Sequence, residues 1–121
     1  FMPSTKQEQG NWAEEYAAQY LLRLGWEILA RQFRTRLGEI DIIAKDPMGV
    51  WVFVEVKARR SHRYGSPEEA VTPYKLRKIT RVLYTYLGGL RATNIRYRID
   101  VIALDMFPQK PIFLRHFPSV G

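Results

Sequence analysis

The chain has no cysteine among its 121 residues. Disulfides, thiolate zinc sites and cysteine nucleophiles are therefore excluded. No apolar run approaches the length of a bilayer span, so no membrane partner or spanning helix is expected. Residues 1–10 are polar and carry no apolar signal core, which makes the cytoplasm the expected compartment. Met2 reads as the native start, with Phe1 an addition ahead of it. The only histidines, His62 and His116, lack partners at metal-ligand spacing and are read as surface residues. Repeats, low-complexity segments and linkers are absent. Acids are scarce relative to bases: 12 Asp and Glu against 19 Lys and Arg, a net charge of +7. Such a surface attracts polyanions at long range. Nucleic acid is the common partner, an anionic membrane surface is the alternative, and a merely solvated basic surface is the silent reading.

What is present is enough apolar material, 46% of residues, for one packed core. A single domain is expected over residues 10–118, with 1–9 a polar N-terminal tail. Residues 11–24 read as a helix. Trp12, Tyr16, Tyr20 and Leu24 recur every four residues, and Ala13, Ala17 and Leu21 widen that stripe. Asn11 is expected to cap it, with Glu14 completing a capping box and Gly25 stopping it. Strands are expected over 26–33, 39–45 and 50–58. The turn Asp46-Pro47-Met48-Gly49 would join the last two as an antiparallel hairpin. Residues 59–66 read as a basic loop. A helix follows over 67–87, broken near Pro73, with Thr72 capping the main part. Its buried stripe is Leu76, Ile79, Leu83 and Leu87, which leaves Lys75, Arg77, Lys78 and Arg81 outside. Strands over 95–104 and 112–117 complete the order α-β-β-β-α-β-β. This is an α/β fold with a mixed central sheet of about five strands flanked by helices.

The chemistry concentrates in residues 38–59, GEIDIIAKDPMGVWVFVEVKAR. Side chains alternate across a strand, so Trp51, Phe53, Glu55 and Lys57 share one face, and Val52, Val54 and Val56 the other. In the preceding strand Glu39, Asp41 and Ile43 share a face, with Ile40 and Ile42 opposite. Charges on an otherwise apolar strand cost several kcal/mol, on the order of what a partner must offset. One compensation is a silent ion pair, Glu55–Lys57 or Asp41–Lys57. The other is a site in which Asp41 and Glu55 bind Mg2+ or Mn2+ and Lys57 faces a phosphate. Magnesium takes oxygen ligands and keeps several waters, so two carboxylates suffice. Phosphodiester hydrolysis needs an activated water and neutralised phosphorus oxygens. Glu39 reads as a strand-rim residue or a supporting acid, and Asp100 as a structural partner of Arg96, Arg98 or a lysine.

The pattern Asp41 followed by Glu55-Val56-Lys57 resembles the PD-(D/E)xK nuclease superfamily, which includes restriction enzymes and archaeal Holliday-junction resolvases. Five ordered segments are more closely similar to the YraN-like family, uncharacterised protein family 0102. They are the Glu14 helix, GEIDIIA at 38–44, FVEVKAR at 53–59, YGSPEEAV at 64–71 and RIDVIAL at 98–104. The usual Pro before the first Asp is replaced by Ile40. The resemblance implies a restriction-endonuclease-like fold and a metal-dependent endonuclease acting on DNA in preference to RNA. It also implies that an acid from the first helix, matched by Glu14 with Glu15 its neighbour, joins Asp41 and Glu55 at the metal. Arg34, Arg36, Arg59, Arg60, Arg63, Lys75 and Lys78 are placed to hold phosphates, and Tyr64 to touch substrate. No base-reading motif is evident, so selectivity for structure (a junction, flap or single strand) is expected over sequence. Symmetric junction cutting would want a homodimer. A non-catalytic nucleic-acid-binding module on the same fold is the competing function.

Overall fold

The computed structural model describes residues 5–60, 71–90 and 94–120. The elements follow in the order α1 (Lys6–Arg23), β1 (Glu27–Thr35), β2 (Gly38–Lys45), β3 (Trp51–Arg59), α2 (Pro73–Gly88), β4 (Tyr97–Asp105) and β5 (Phe113–Phe117). The strands form one sheet in the order β1-β2-β3-β4-β5. β1, β2 and β3 are an antiparallel meander, β4 lies parallel to β3 beyond the α2 crossover, and β5 returns antiparallel to β4. This is the α/β architecture and element order expected from the sequence.

Each helix buries one stripe against one face of the sheet. Ala17, Ala18 and Leu21 of α1 pack on Ile42, Ala44, Val52, Val54 and Ile102. Ile79, Val82 and Leu83 of α2 pack on Ile40, Ile43 and Phe53. Each fully buried Val, Leu or Ile contributes about 1.5–3 kcal/mol, so these two stripes fix which strand ends face which helix. Asp46 closes the β2–β3 turn by accepting the N–H groups of Met48 and Val50, both at 2.9 Å. Gly49 takes the positive φ of 85° that this turn needs.

Four local expectations are corrected. α1 starts at Lys6, so residues 6–9 are helical and Asn11 does not cap; Thr5 does, accepting the Glu8 N–H at 3.0 Å. The α1 core stripe is carried by alanines and Leu21, while Leu24, one step beyond the last turn, is exposed. Ile40 lies in the α2-side cluster with Ile43 instead of opposite it. Ile42 between them packs on the α1 side, so regular alternation does not hold across residues 40–43. His116 is no surface residue: its imidazole joins Asp100 at 2.7 Å and the Tyr20 hydroxyl at 3.0 Å. Asp100 is fully buried and also holds Arg98 at 3.0 Å, the structural partner expected for it.

Candidate active site

Asp41 and Glu55 stand where β2 and β3 stop pairing. The ladder runs from Lys45–Trp51 to Ile42–Val54. Asp41 and Glu55 lie directly beyond that last pair on their strands, and both turn to the side of the sheet covered by α2. Past the end of the ladder the Val56 N–H donates to Asp41 Oδ2 at 2.7 Å, so the side chain takes over a role the strand backbone would otherwise fill. Both carboxylates line one cavity of about 370 Å³. Gly38 and Glu39 form its β2 wall, and Thr72, Tyr74, Lys75 and Lys78 its α2 wall. Gly38 has φ of 148°, and a side chain there would lie 3.5 Å from Val82. That spacing is ordinary contact, so what calls for glycine here is the backbone conformation, which other residues rarely adopt.

The α2 wall follows from local sequence. Thr72 caps the helix by accepting the Lys75 N–H at 3.2 Å, with Pro73 in the first turn where a missing N–H costs nothing. The helix therefore begins at the cavity and aims its positive end at the carboxylates. Its first-turn Lys75 reaches back so that Nζ lies 3.0 Å from Glu55 Oε1, while Lys57 approaches the same oxygen at 3.5 Å. Glu39 accepts from Arg34 at 3.0 Å at the rim.

The electrostatics follow from this crowding. Burial pushes the Asp41 carboxyl up, the Glu55 charge adds to it, and Glu14 and Glu39 add less; against the Val56 hydrogen bond the result is about 8. At neutral pH Asp41 therefore holds a proton unless a cation replaces it. Burial lowers Lys57 below its ordinary value, the adjacent Lys75 lowers it further, and Glu55 opposes both. Burial also acts against Lys75, but its contacts with Lys57 and Glu55 outweigh that and raise it. Lys75 is thus the firmer positive charge of the two.

Of the residues singled out from sequence, Asp41, Glu55, Lys75 and Lys78 line the same cavity, and Lys57 contacts Glu55. Glu14 is a partial correction. It sits close enough to raise Asp41, yet its Oε1 accepts from Gln32 at 3.2 Å. Among the described residues no three Asp, Glu or His side chains converge on one ion position. Gln32, at a positive φ of 52° in β1, donates its side-chain amide to Glu14. Arg59 is corrected as a free phosphate contact: its Nε donates to Asp105 Oδ1 at 2.7 Å, and Arg115 pairs with the same carboxylate at 3.2 Å. Arg36 and Arg60 are exposed, while Arg63, Tyr64 and His62 lie outside the described residues. From sequence Thr72 was read only as a helix cap, and Tyr74 was not singled out, yet both line the cavity. The Thr-Pro capping pattern places both at the start of α2, and so at whatever that helix end faces.

A profile of the uncharacterised protein family UPF0102 matches residues 13–104. A UPF0102 protein of Caldicellulosiruptor saccharolyticus is 48% identical over 101 residues, covering 84% of this chain and 85% of that one. One of Syntrophomonas wolfei is 52% identical over 97 residues, covering 80% and 84%. One of Herpetosiphon aurantiacus is 37% identical over 124 residues, covering 99% and 98%. Among solved structures, a repair endonuclease from Pyrococcus abyssi aligns with a TM-score of 0.47 at 15% identity, over 90% of this chain and 41% of that one. Pyrococcus furiosus SfsA in complex with Ca2+ aligns with a TM-score of 0.39 at 18% identity, over 95% and 64%. No helix among the described residues is long and apolar enough to cross a membrane.

Proposed function

The chain belongs to the uncharacterised protein family UPF0102, and we propose that it is a metal-dependent nuclease that hydrolyses phosphodiester bonds of structured or unpaired DNA. The observation that carries this reading is that Asp41 and Glu55 line one cavity, with two lysines on Glu55. A buried and a half-buried carboxylate in one cavity, one driven to hold a proton, are a poor structural device and a good hard-cation site. Asp41 and Glu55 would hold Mg2+ or Mn2+, with Glu14 tuning their charge from outside. When bound, such an ion lowers the pKa of its water and screens the phosphate.

The remaining work falls to the chain's own side chains. Lys57 and Lys75, both within reach of Glu55 Oε1, are positioned to face a scissile phosphate. They would neutralise the charge that builds on its oxygens. Lys57 is also close enough to Glu55 to orient a water beside it by donating a hydrogen bond. Lys78, Arg34 and the N-terminus of α2 hold flanking phosphates without reading bases.

The test is a cleavage panel of duplex, flap, four-way-junction and single-stranded DNA and RNA, with Mg2+ or Mn2+ and with EDTA. Metal-dependent cutting of at least one branched or single-stranded substrate is expected. A second reading, a non-catalytic binding module, draws support from the Glu55–Lys57–Lys75 contacts, because a silent ion pair would show the same distances. Binding without cutting across the whole panel would establish it and reject the nuclease.

A further inference from the structure

The exposed face of α2 carries two tyrosines, Tyr74 and Tyr84, that the cleavage chemistry does not use. The helix holds Lys75, Arg77, Lys78 and Arg81 and no acid. At 3.6 residues per turn, Tyr74, Arg77, Lys78, Arg81 and Tyr84 fall on the side away from the buried Ile79, Val82 and Leu83, and all five are exposed. Tyr74 also lines the cavity that holds Asp41 and Glu55. Its ring is 63% exposed, with Lys78 Nζ 5.5 Å from its centre. At the far end of the helix, Tyr84 is 55% exposed and Tyr97, at the start of β4, is 40% exposed. Their hydroxyls lie 3.1 Å apart and their rings meet edge to face at 6.2 Å.

Three tyrosines stand open on this surface, two on α2 and the third at the start of β4, each exposing apolar ring beside or between cations. Aromatic platforms separated by cations are the surface that an unpaired nucleic-acid strand recognises: bases stack on the rings and phosphates follow the charges. A duplex can use only the charges, because its base faces are stacked on one another. Tyr74 and Tyr84 are ten residues apart, about 15 Å along the axis. That is the length of about four stacked nucleotides at about 3.4 Å each.

We propose that α2 is a track for an unpaired strand, with Tyr74 stacking on the base beside the phosphate held at Asp41 and Glu55, and the Tyr84–Tyr97 pair supporting the strand farther on. This rests on the nuclease reading and narrows its substrate to nucleic acid that is single-stranded next to the cut. The track selects unpaired bases whatever the sugar, so DNA and RNA are separate arms of the test.

The experiment is fluorescence anisotropy in EDTA, where nothing can be cut, with labelled oligo-dT, oligo-rU and a blunt duplex of equal length. The parent is expected to bind at least one single strand more tightly than the duplex. Tyr74→Ala and Tyr84→Ala should each weaken single-strand binding about tenfold or more, with duplex binding nearly unchanged, and Tyr74→Phe should restore it. Both tyrosines are exposed, so the fold does not depend on them. Unchanged single-strand affinity in Tyr74→Ala, or a parent that prefers duplex, would overturn the track and leave the nuclease standing. A parent that stacks bases through Tyr74 but cuts nothing would support the track and reject the nuclease. A parent that binds none of these three ligands would overturn the track, and the nuclease reading would be decided by the cleavage panel.

Discussion

Lys57→Ala is expected to slow cleavage by about 10²–10³ while leaving nucleic-acid affinity nearly intact, because the ammonium acts on charge that exists only in the transition state. Lys57 is one of 19 basic residues, so its removal lowers the slope of log affinity against log salt by at most about one. The variant should fold: Glu55 keeps its 3.0 Å contact with Lys75, so no buried charge is orphaned. Single-turnover rates beside anisotropy titrations separate the two effects. A folded Lys57→Ala protein that cuts as fast as the parent would make Lys57 a structural partner of Glu55.

The second large effect is on stability. Asp100→Ala should lower the free energy of unfolding by about 3–5 kcal/mol in a urea titration, the usual cost of breaking a buried ion pair from one side. Asp100 is fully buried and accepts from Arg98, His116 and the Ser119 N–H. Burial alone would raise its carboxyl; His116, Arg98 and Ser119 outweigh that and hold it below the ordinary 3.8. A carboxyl lowered by folding contributes stability that is present above about pH 4 and is lost as pH falls through the depressed value. The gap between parent and Asp100→Asn should therefore narrow below pH 4. A gap that is small at pH 7, or constant with pH, would show that the Asp100 network adds little.

The sequence displayed the fold through signals that act locally. The Thr72-Pro73 cap, the Asp46–Gly49 turn and the apolar run of β3 each have one strong physical solution, and the structure adopts it. That Asp41 and Glu55 share one side of the sheet was readable from alternation along the two strands of a hairpin, and both line the cavity beside α2. What escaped depends on distant neighbours. His116 looks like an exposed position of an edge strand until α1 brings Tyr20, 96 residues away, against it. Lys75 lies outside the apolar stripe of α2, yet its long side chain reaches back from the first turn to Glu55. Glu14 was diverted by Gln32, whose positive φ no local pattern announces. The early start of α1 was legible after all: Thr5 and Glu8 have the capping-box spacing that was assigned to Asn11 and Glu14.

The central claim, that Asp41 and Glu55 form a divalent-cation site, is tested most directly by calorimetric titration of the metal-free protein with Mn2+ in two buffers of different ionisation enthalpy. Because Asp41 is held protonated up to about 8, the ion must displace a proton. One saturating site is expected, with proton release near pH 7 and an affinity that climbs until about pH 8. Asp41→Asn should abolish the proton release and weaken binding, and Glu55→Gln should weaken it as well. No saturable binding, or binding that neither substitution alters, would contradict the site and the hydrolytic mechanism built on it.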